Sequence, residues 1–468
     1  MAITNDTRGA TRRSAIVSAL AGLAVLAAAC SSGSTGTSSG SGGTFSWRQQ
    51  AGSTLNIGFS AHPLATSLIQ QLPDFEKLTG IKVKYEQAPE ADFRAKLNTQ
   101  LQSGSSSFDI FMTGPATNWG YSAHGWIADL QPYVDNPSLT SPDWDFKDFY
   151  PAAVNTNRWC GKEFQCVGQG PLWAIPINEE GYAIHYRKDV LDATGTPVPQ
   201  TIDELIADAK KLNGYQIGGK TLTGFVARGI DNWGPLITGY GTFMFGYGGV
   251  DIKSDGTSAV NSPQVIQATQ KWAEIMQYAP KDVATYDWQQ AQSYFAAGNS
   301  VFLLDADHMS AVFEDPTQSQ VAGKVGYALP PQGPAGRASG IWLWSLGMNA
   351  HSAHKNAAWL FIEWATSKDV MTKTIPSGNI NPPRASVAAS SVMSDYTKSW
   401  GNYNQVWQQI LAEDAKWRWN PSTQFDAEGN RWAQAVQCSF LHQKSVDQCM
   451  NDAAVDINRL LARVRAGG

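Results

Sequence analysis

From Thr54 the hydrophobic pattern switches repeatedly between a period of two and a helical period. Leu55-Asn56-Ile57-Gly58-Phe59 reads as a strand. Leu64, Leu68, Leu72 and Phe75 form one helical stripe over 64–78 that stops at Gly80, a residue suited to a left-handed helix end. Ile81, Val83 and Tyr85 alternate with Lys82, Lys84 and Glu86, the mark of a half-exposed strand. Phe93, Leu97 and Leu101 predict a second helix ending near Gly104, and Phe108 to Met112 predicts a buried strand opening into Thr113-Gly114-Pro115. This β-α-β-α-β order predicts a largely parallel sheet, with ligands gathering at the carboxyl ends of its strands. Ser60 to His62 and Thr113 to Trp119 occupy such ends. Later, Thr201-Ile202-Asp203-Glu204 is a capping box, Ser262-Pro263 opens a helix and Ser352 starts another. Trp272, Trp359 and Trp364 lie on helical stripes and are expected in the core.

The run Trp173 to Asp189, WAIPINEEGYAIHYRKD, breaks the pattern. A buried strand is followed by polar Asn178, Glu179 and Glu180, then by a second apolar run ending in Tyr186-Arg187. It reads as the chain leaving one lobe, crossing a hinge and entering a second, with the polar side chains facing the gap. A solvated turn is the alternative.

With 468 residues the chain has room for two or three domains, and 43% hydrophobic with 16% charged residues describes a globular protein. The formal charge is −5, and omitting residues 1–29, which carry Arg8, Arg12, Arg13 and Asp6, takes it to −7. That balance argues against nucleic acid or an anionic membrane surface as a partner. Arg12-Arg13 ahead of the apolar run Ala15 to Ala29 fits an export signal, too short to span a bilayer permanently. Leu26-Ala27-Ala28-Ala29-Cys30 resembles a lipobox, which makes Cys30 the expected lipidation site; Thr11-Arg12-Arg13-Ser14 also resembles a twin-arginine signal. Residues 31–44 are Gly, Ser and Thr only, a flexible tether reaching about 20 Å. In an oxidising compartment the four remaining cysteines pair most economically as Cys160 with Cys166 and Cys438 with Cys449. A metal site there is the weaker reading, and no metal or cofactor is expected.

The landmarks Phe75-Glu76-Lys77-Leu78-Thr79-Gly80-Ile81-Lys82-Val83, Phe108-Asp109-Ile110, Ala174-Ile175-Pro176, Tyr186-Arg187-Lys188-Asp189, Phe295-Ala296-Ala297-Gly298 and Ala357-Ala358-Trp359, in this order behind a lipobox, resemble the solute-binding components of bacterial ABC carbohydrate importers. Asp305-Ala306, Glu314-Asp315-Pro316, Trp342-Leu343-Trp344-Ser345 and Pro382-Pro383-Arg384 are most similar to the mannitol and sorbitol binders. The resemblance implies an α/β, two-lobed periplasmic-binding-protein fold of type II. Crossings are expected near 173–177, 301–305 and 341–346, with lobe 1 at 51–173 plus 306–340 and lobe 2 at 174–305 plus 341–468. It also implies a lipid-anchored monomer on the outer face of the cell membrane, held there by the anchor alone. Such a protein captures a sugar alcohol or monosaccharide by lobe closure and delivers it to the transmembrane permease. A di- or oligosaccharide or a glycerophosphodiester are the alternative ligands, and a secreted glycosidase is a distant one.

A neutral polyol needs hydrogen-bond partners that replace its water shell and flat apolar surfaces for its C–H faces. Glu180 and Asp305 are therefore expected as hydroxyl acceptors, Arg384 and Asn381 as further partners, and Trp233, Trp342 and Trp344 as stacking surfaces. His62, Trp119 and Asp307 follow from the strand-end argument. Core packing for a Trp and a structural ion pair for Arg384 remain open. Adjacent Glu179 and Glu180 project in different directions and make poor paired glycosidase carboxylates. A zinc-helix motif is not found.

Overall fold

The computed structural model describes residues 44–414 and 416–467. The expected export signal, Cys30 and nearly all of the tether lie outside these residues. Ahead of residue 51, the expected start of lobe 1, Phe45 and Trp47 meet edge to face and pack against the core, and Arg48 donates to Lys77 O.

Eight strands form one mixed sheet: β1 (Thr54–Ser60), β2 (Lys82–Ala88), β3 (Ile110–Thr113), β4 (Ile175–Arg187), β5 (Thr223–Val226), β6 (Ser300–Ala306), β7 (Val325–Ala328) and β8 (Ile341–Met348). The order is β2-β1-β3-β8-β4-β6-β5, with β7 also on β4. The pairs β1–β2, β1–β3 and β5–β6 are parallel, as helical crossovers require, but every contact of β4 and β8 is antiparallel. The expected largely parallel sheet is therefore a mixed one.

β4 organises this arrangement. Its 13 residues are all buried. Ile175 to Gly181 pair with β8, whereas Tyr182 to Arg187 pair with β6 and β7. One continuous strand thus belongs to both halves of the sheet, and the seam falls between Gly181 and Tyr182. Asn178, Glu179 and Glu180 stand inside the strand, which removes the solvated-turn alternative. The chain returns at Ser339–Ile341: Ser339 Oγ accepts from Tyr182 N at 3.0 Å, and Ile341 pairs with Gly181. The 301–305 segment, expected to cross, ends at the seam instead. Strand pairing also exchanges two expected segments, since 325–328 joins the half that holds β5 and β6 while 341–348 joins the half that holds β1 to β3.

Helices follow the apolar stripes where nothing local interferes. The stripe over 64–78 is interrupted: α1 (Pro63–Ile69) ends, and a new helix starts at Leu72 with Pro73 in its first turn, because proline has no N–H to continue the ladder. Gly80 closes that helix at φ 73°, as expected. Further elements that matter here are α2 (Glu90–Gln102), α3 (Pro115–Ala123), α4 (Pro263–Met276), α5 (Trp288–Ala296), α6 (Lys355–Ala365), α7 (Phe425–Phe440) and α8 (Val446–Gly467). Thr201 and Glu204 make the reciprocal capping box. Ser352 lies three residues ahead of the helix it was expected to start, donating to Asp109 Oδ1 and accepting from His354 N. Trp272, Trp359 and Trp364 are core. Cys160 is joined to Cys166 and Cys438 to Cys449, the latter tying α7 to α8.

Candidate functional site

The β4–β8 register sets the floor of the site. Glu180 stands opposite Trp342, and Asn178 opposite Trp344, so both indoles and the Glu180 carboxyl belong to one face of the sheet. Gly114 permits this. A Cβ there would lie 2.3 Å from Trp342 Cζ2, so no larger residue fits beneath the ring.

His62, Glu90, Glu180, Tyr182, Arg228, Trp233, Trp288, His308, Trp342 and Trp344 line a narrow pocket at the seam, with about 340 Å³ of empty space when the part open to solvent is counted. Four of these residues share a placement: His62, Glu90, Arg228 and His308 each stand two residues beyond the carboxyl end of a strand, β1, β2, β5 and β6 respectively. The rule that ligands gather at such ends thus holds at four strands, and applying it to all of them would have found Glu90, Arg228 and His308 in the sequence.

Glu180 Oε1 lies 3.3 Å from His62 Nε2 and 3.4 Å from His308 Nδ1. His62 caps α1, its Nδ1 accepting from Leu64 N at 3.2 Å. In the neutral ring the proton therefore sits on Nε2, facing Glu180. These three residues are the one His/Cys/Asp/Glu cluster, among the described residues, close enough to hold a metal. Ligation through Nε2 would require the tautomer that the cap forbids, so the geometry favours a hydrogen-bond donor. Glu180 Oε1, His62 Nε2 and both His308 nitrogens are buried, and none has an aligned hydrogen-bond partner among the described residues. Burial would raise the Glu180 carboxyl, but His308, His62 and Arg228 outweigh it and hold the group below its usual range. Burial also lowers His308 to about 4, against the pull of the Glu180 carboxylate.

Arg228 is anchored by Asp305, which accepts Nε at 3.1 and 3.0 Å and Nη2 at 2.6 Å. Burial disfavours the guanidinium charge, yet Asp305 outweighs it and holds Arg228 above its ordinary value. Asp305 itself is fully buried and does not line the pocket. The expected hydroxyl acceptor is instead the brace of an unexpected donor. Trp233 lies 5.4 Å from Trp342, and His62 lies 5.6 Å from both Trp288 and Trp344. The Arg94 guanidinium, paired with Glu90, stands 4.8 Å from the Trp233 ring.

Of the remaining expected residues, Asn381 reaches the seam indirectly, donating to Asp307 Oδ1 at 2.6 Å; that oxygen also accepts from Gly181 N. Arg384 is not at the pocket. Its guanidinium donates to Thr366 O, Asp145 O, Trp144 O and Asp148 Oδ2 and stacks 3.9 Å from Phe149, a wholly structural set of partners. Trp119 is core, packed against Trp417 and Phe425. No helix among the described residues is long and apolar enough to cross a membrane.

The family model for bacterial extracellular solute-binding proteins matches residues 61–372. The chain is 33% identical over 401 residues to the erythritol/L-threitol-binding protein of Mycolicibacterium smegmatis, covering 84% of this chain and 83% of that one. It is 26% identical to the mannitol-binding protein of Pseudomonas aeruginosa, covering 62% and 63% of the two chains. The crystal structure of an ABC-transporter solute-binding protein from Agrobacterium radiobacter in complex with ribitol superposes with a TM-score of 0.78 at 23% identity, covering 88% of this chain and 99% of that one. The fold is thus the two-lobed one of periplasmic binding proteins, and a strand shared by two sheet halves with a pocket at its seam is how this sequence builds it. On the strength of both the family match and the M. smegmatis relative, the chain is a member of the bacterial extracellular solute-binding protein family.

Proposed function

We propose that this protein captures a short sugar alcohol at the β4 seam, closes its two lobes over it and presents it to the membrane subunits of an ABC importer, itself held at the cell surface through lipidated Cys30. The observation that carries this reading is the set of buried, unaligned polar atoms on Glu180, His62 and His308, framed by Trp233, Trp288, Trp342 and Trp344. Hydroxyl groups both donate and accept, so a polyol can satisfy the carboxylate and the imidazoles together, while its C–H faces cover indole rings. Lining residues come from strands of both sheet halves, so a ligand contacting both favours closure by its differential affinity. The relatives' erythritol, threitol, mannitol and ribitol ligands are of this class. Among the described lining residues the one other carboxylate is Glu90, whose Oε1 is already paired with Arg94, so binding without chemistry is the reading.

Calorimetric titration with erythritol, ribitol, mannitol and maltose tests it. A four- or five-carbon sugar alcohol is expected to bind most tightly and to raise the melting temperature, unchanged after incubation. Indifference to all three sugar alcohols overturns the proposal.

A further inference from the structure

We infer that the cleft holds a second, outer subsite for an uncharged, hydroxyl-rich unit joined to the polyol, such as the sugar ring of a glycosylated polyol. This rests on the polyol reading of the inner pocket and extends it. His62, Trp288 and His308 line the inner pocket on one side and, on the other, a chamber of about 1420 Å³, part of it open to solvent. These three side chains are therefore a shared wall, and a ligand passing it would touch both spaces.

The chamber's chemistry is that of neutral hydrogen bonding. Thr66 and Gln87 line it from one side, and Gln289, Gln292 and Ser293 on α5, with Gln318, from the other. No lysine or arginine is among the described lining residues, and the carboxylate of Asp315 is already engaged by Thr317 and by Gln318 Nε2 at 2.6 Å. An anionic unit such as a phosphodiester would meet no counter-charge there. Two of the lining residues carry a buried polar atom that is unpartnered among the described residues: Gln292, 8% exposed, at Nε2 and His308, 4% exposed, at Nε2. A buried polar atom left without a partner is costly, and a hydroxyl, which can donate or accept, would relieve that cost at each. Side-chain amides with an indole face alongside are the groups that recognise a sugar ring, and Trp288 supplies the face.

The test compares erythritol with an O-glucosyl-erythritol on the full-length protein by calorimetry. Two added hydrogen bonds predict about tenfold tighter binding of the glucoside. Gln292→Leu is expected to remove that advantage and leave erythritol affinity unchanged. Ser293→Trp, at an exposed position on the chamber wall, should do the same by filling the space, and it guards against a Gln292 variant that fails to fold. Binding of erythritol with no gain for the glucoside, or equal losses for both ligands in the variants, overturns the outer subsite and leaves the chamber as an entry path. Binding of neither ligand by the unmodified protein overturns the polyol reading, and this inference with it.

Discussion

Arg384 has its guanidinium occupied by three backbone carbonyls and Asp148, whereas Arg228, among the described residues, is held by Asp305 and also lines the pocket. Both are arginines taken largely out of water. Burial lowers Arg384 to about 10, since one carboxylate at the edge of a cage of neutral carbonyls offsets only part of the desolvation. At Arg228 the doubly engaged, fully buried Asp305 more than restores the charge. A buried cation can thus serve packing or recognition. The strength of its pairing with a carboxylate, more than its burial, separates the two.

The same contrast recurs one residue apart on β4. Glu180 faces the pocket and is held below its usual range, while Glu179 points to the opposite face, where burial raises it to about 8.

The largest effect that would sharpen this contrast is on folding. Arg384→Met leaves Asp148 and three carbonyls without their donor, so a loss of about 3–5 kcal/mol in denaturant unfolding is expected, with ligand affinity of the folded protein unchanged. Reduced affinity in a normally stable variant would place Arg384 on the wrong side of the comparison. Next is Glu180→Gln, which removes charge-assisted hydrogen bonds to the ligand. An affinity loss of about 1.5–3 kcal/mol by calorimetry is expected, with little change in unfolding midpoint.

The pH dependence should separate the two glutamates as well. Glu179 gains its raised value on folding, so its contribution is intact below the unfolded value of about 4.3 and is lost as pH rises toward about 8. Glu179→Gln should therefore stabilise the protein at pH 8.5 relative to pH 5, seen in melting temperatures at the two values. His308 acts in the opposite sense: its folded value of about 4 lies below the unfolded value of about 6.5, so stability falls as pH drops between them. His308→Gln should flatten that acid limb. The smallest effect is expected at Lys368→Ala. Its half-exposed pair with Asp145, beside the Arg384 cage, is worth about 0.2–1 kcal/mol at most, and a larger loss would mean that the cage depends on its rim.

How much of this was legible in the sequence follows from the range of the interactions. Local devices were readable: the Thr201 capping box, the Gly80 terminus, the Phe93-Leu97-Leu101 stripe and the two short-range cysteine pairs all depend on neighbours within a dozen residues. The Trp342–Trp344 spacing and the polar interruption at Glu180 likewise carried their own direction, because period two fixes which face a side chain takes. Asp305 and Arg384 were misread because what a buried charge does depends on its partner. Arg228 lies 77 residues before Asp305, and Asp148 lies 236 before Arg384. Nothing in the local pattern marks either pairing. Trp119 failed for a related reason: a strand-end position aims a residue toward the site only if no other ring has filled the space, and Trp417 and Phe425 have.

The shared strand has one more implication. Because Ile175 to Gly181 and Tyr182 to Arg187 are locked to different neighbours, gaining or losing one residue inside this segment cannot be absorbed by sliding. Such an indel would hand the Glu180 position to Glu179 or Gly181 and rotate every following side chain onto the reverse surface. Evolutionary change in ligand preference is thereby steered toward point substitutions here and toward length variation in the loops that follow β1, β2, β5 and β6.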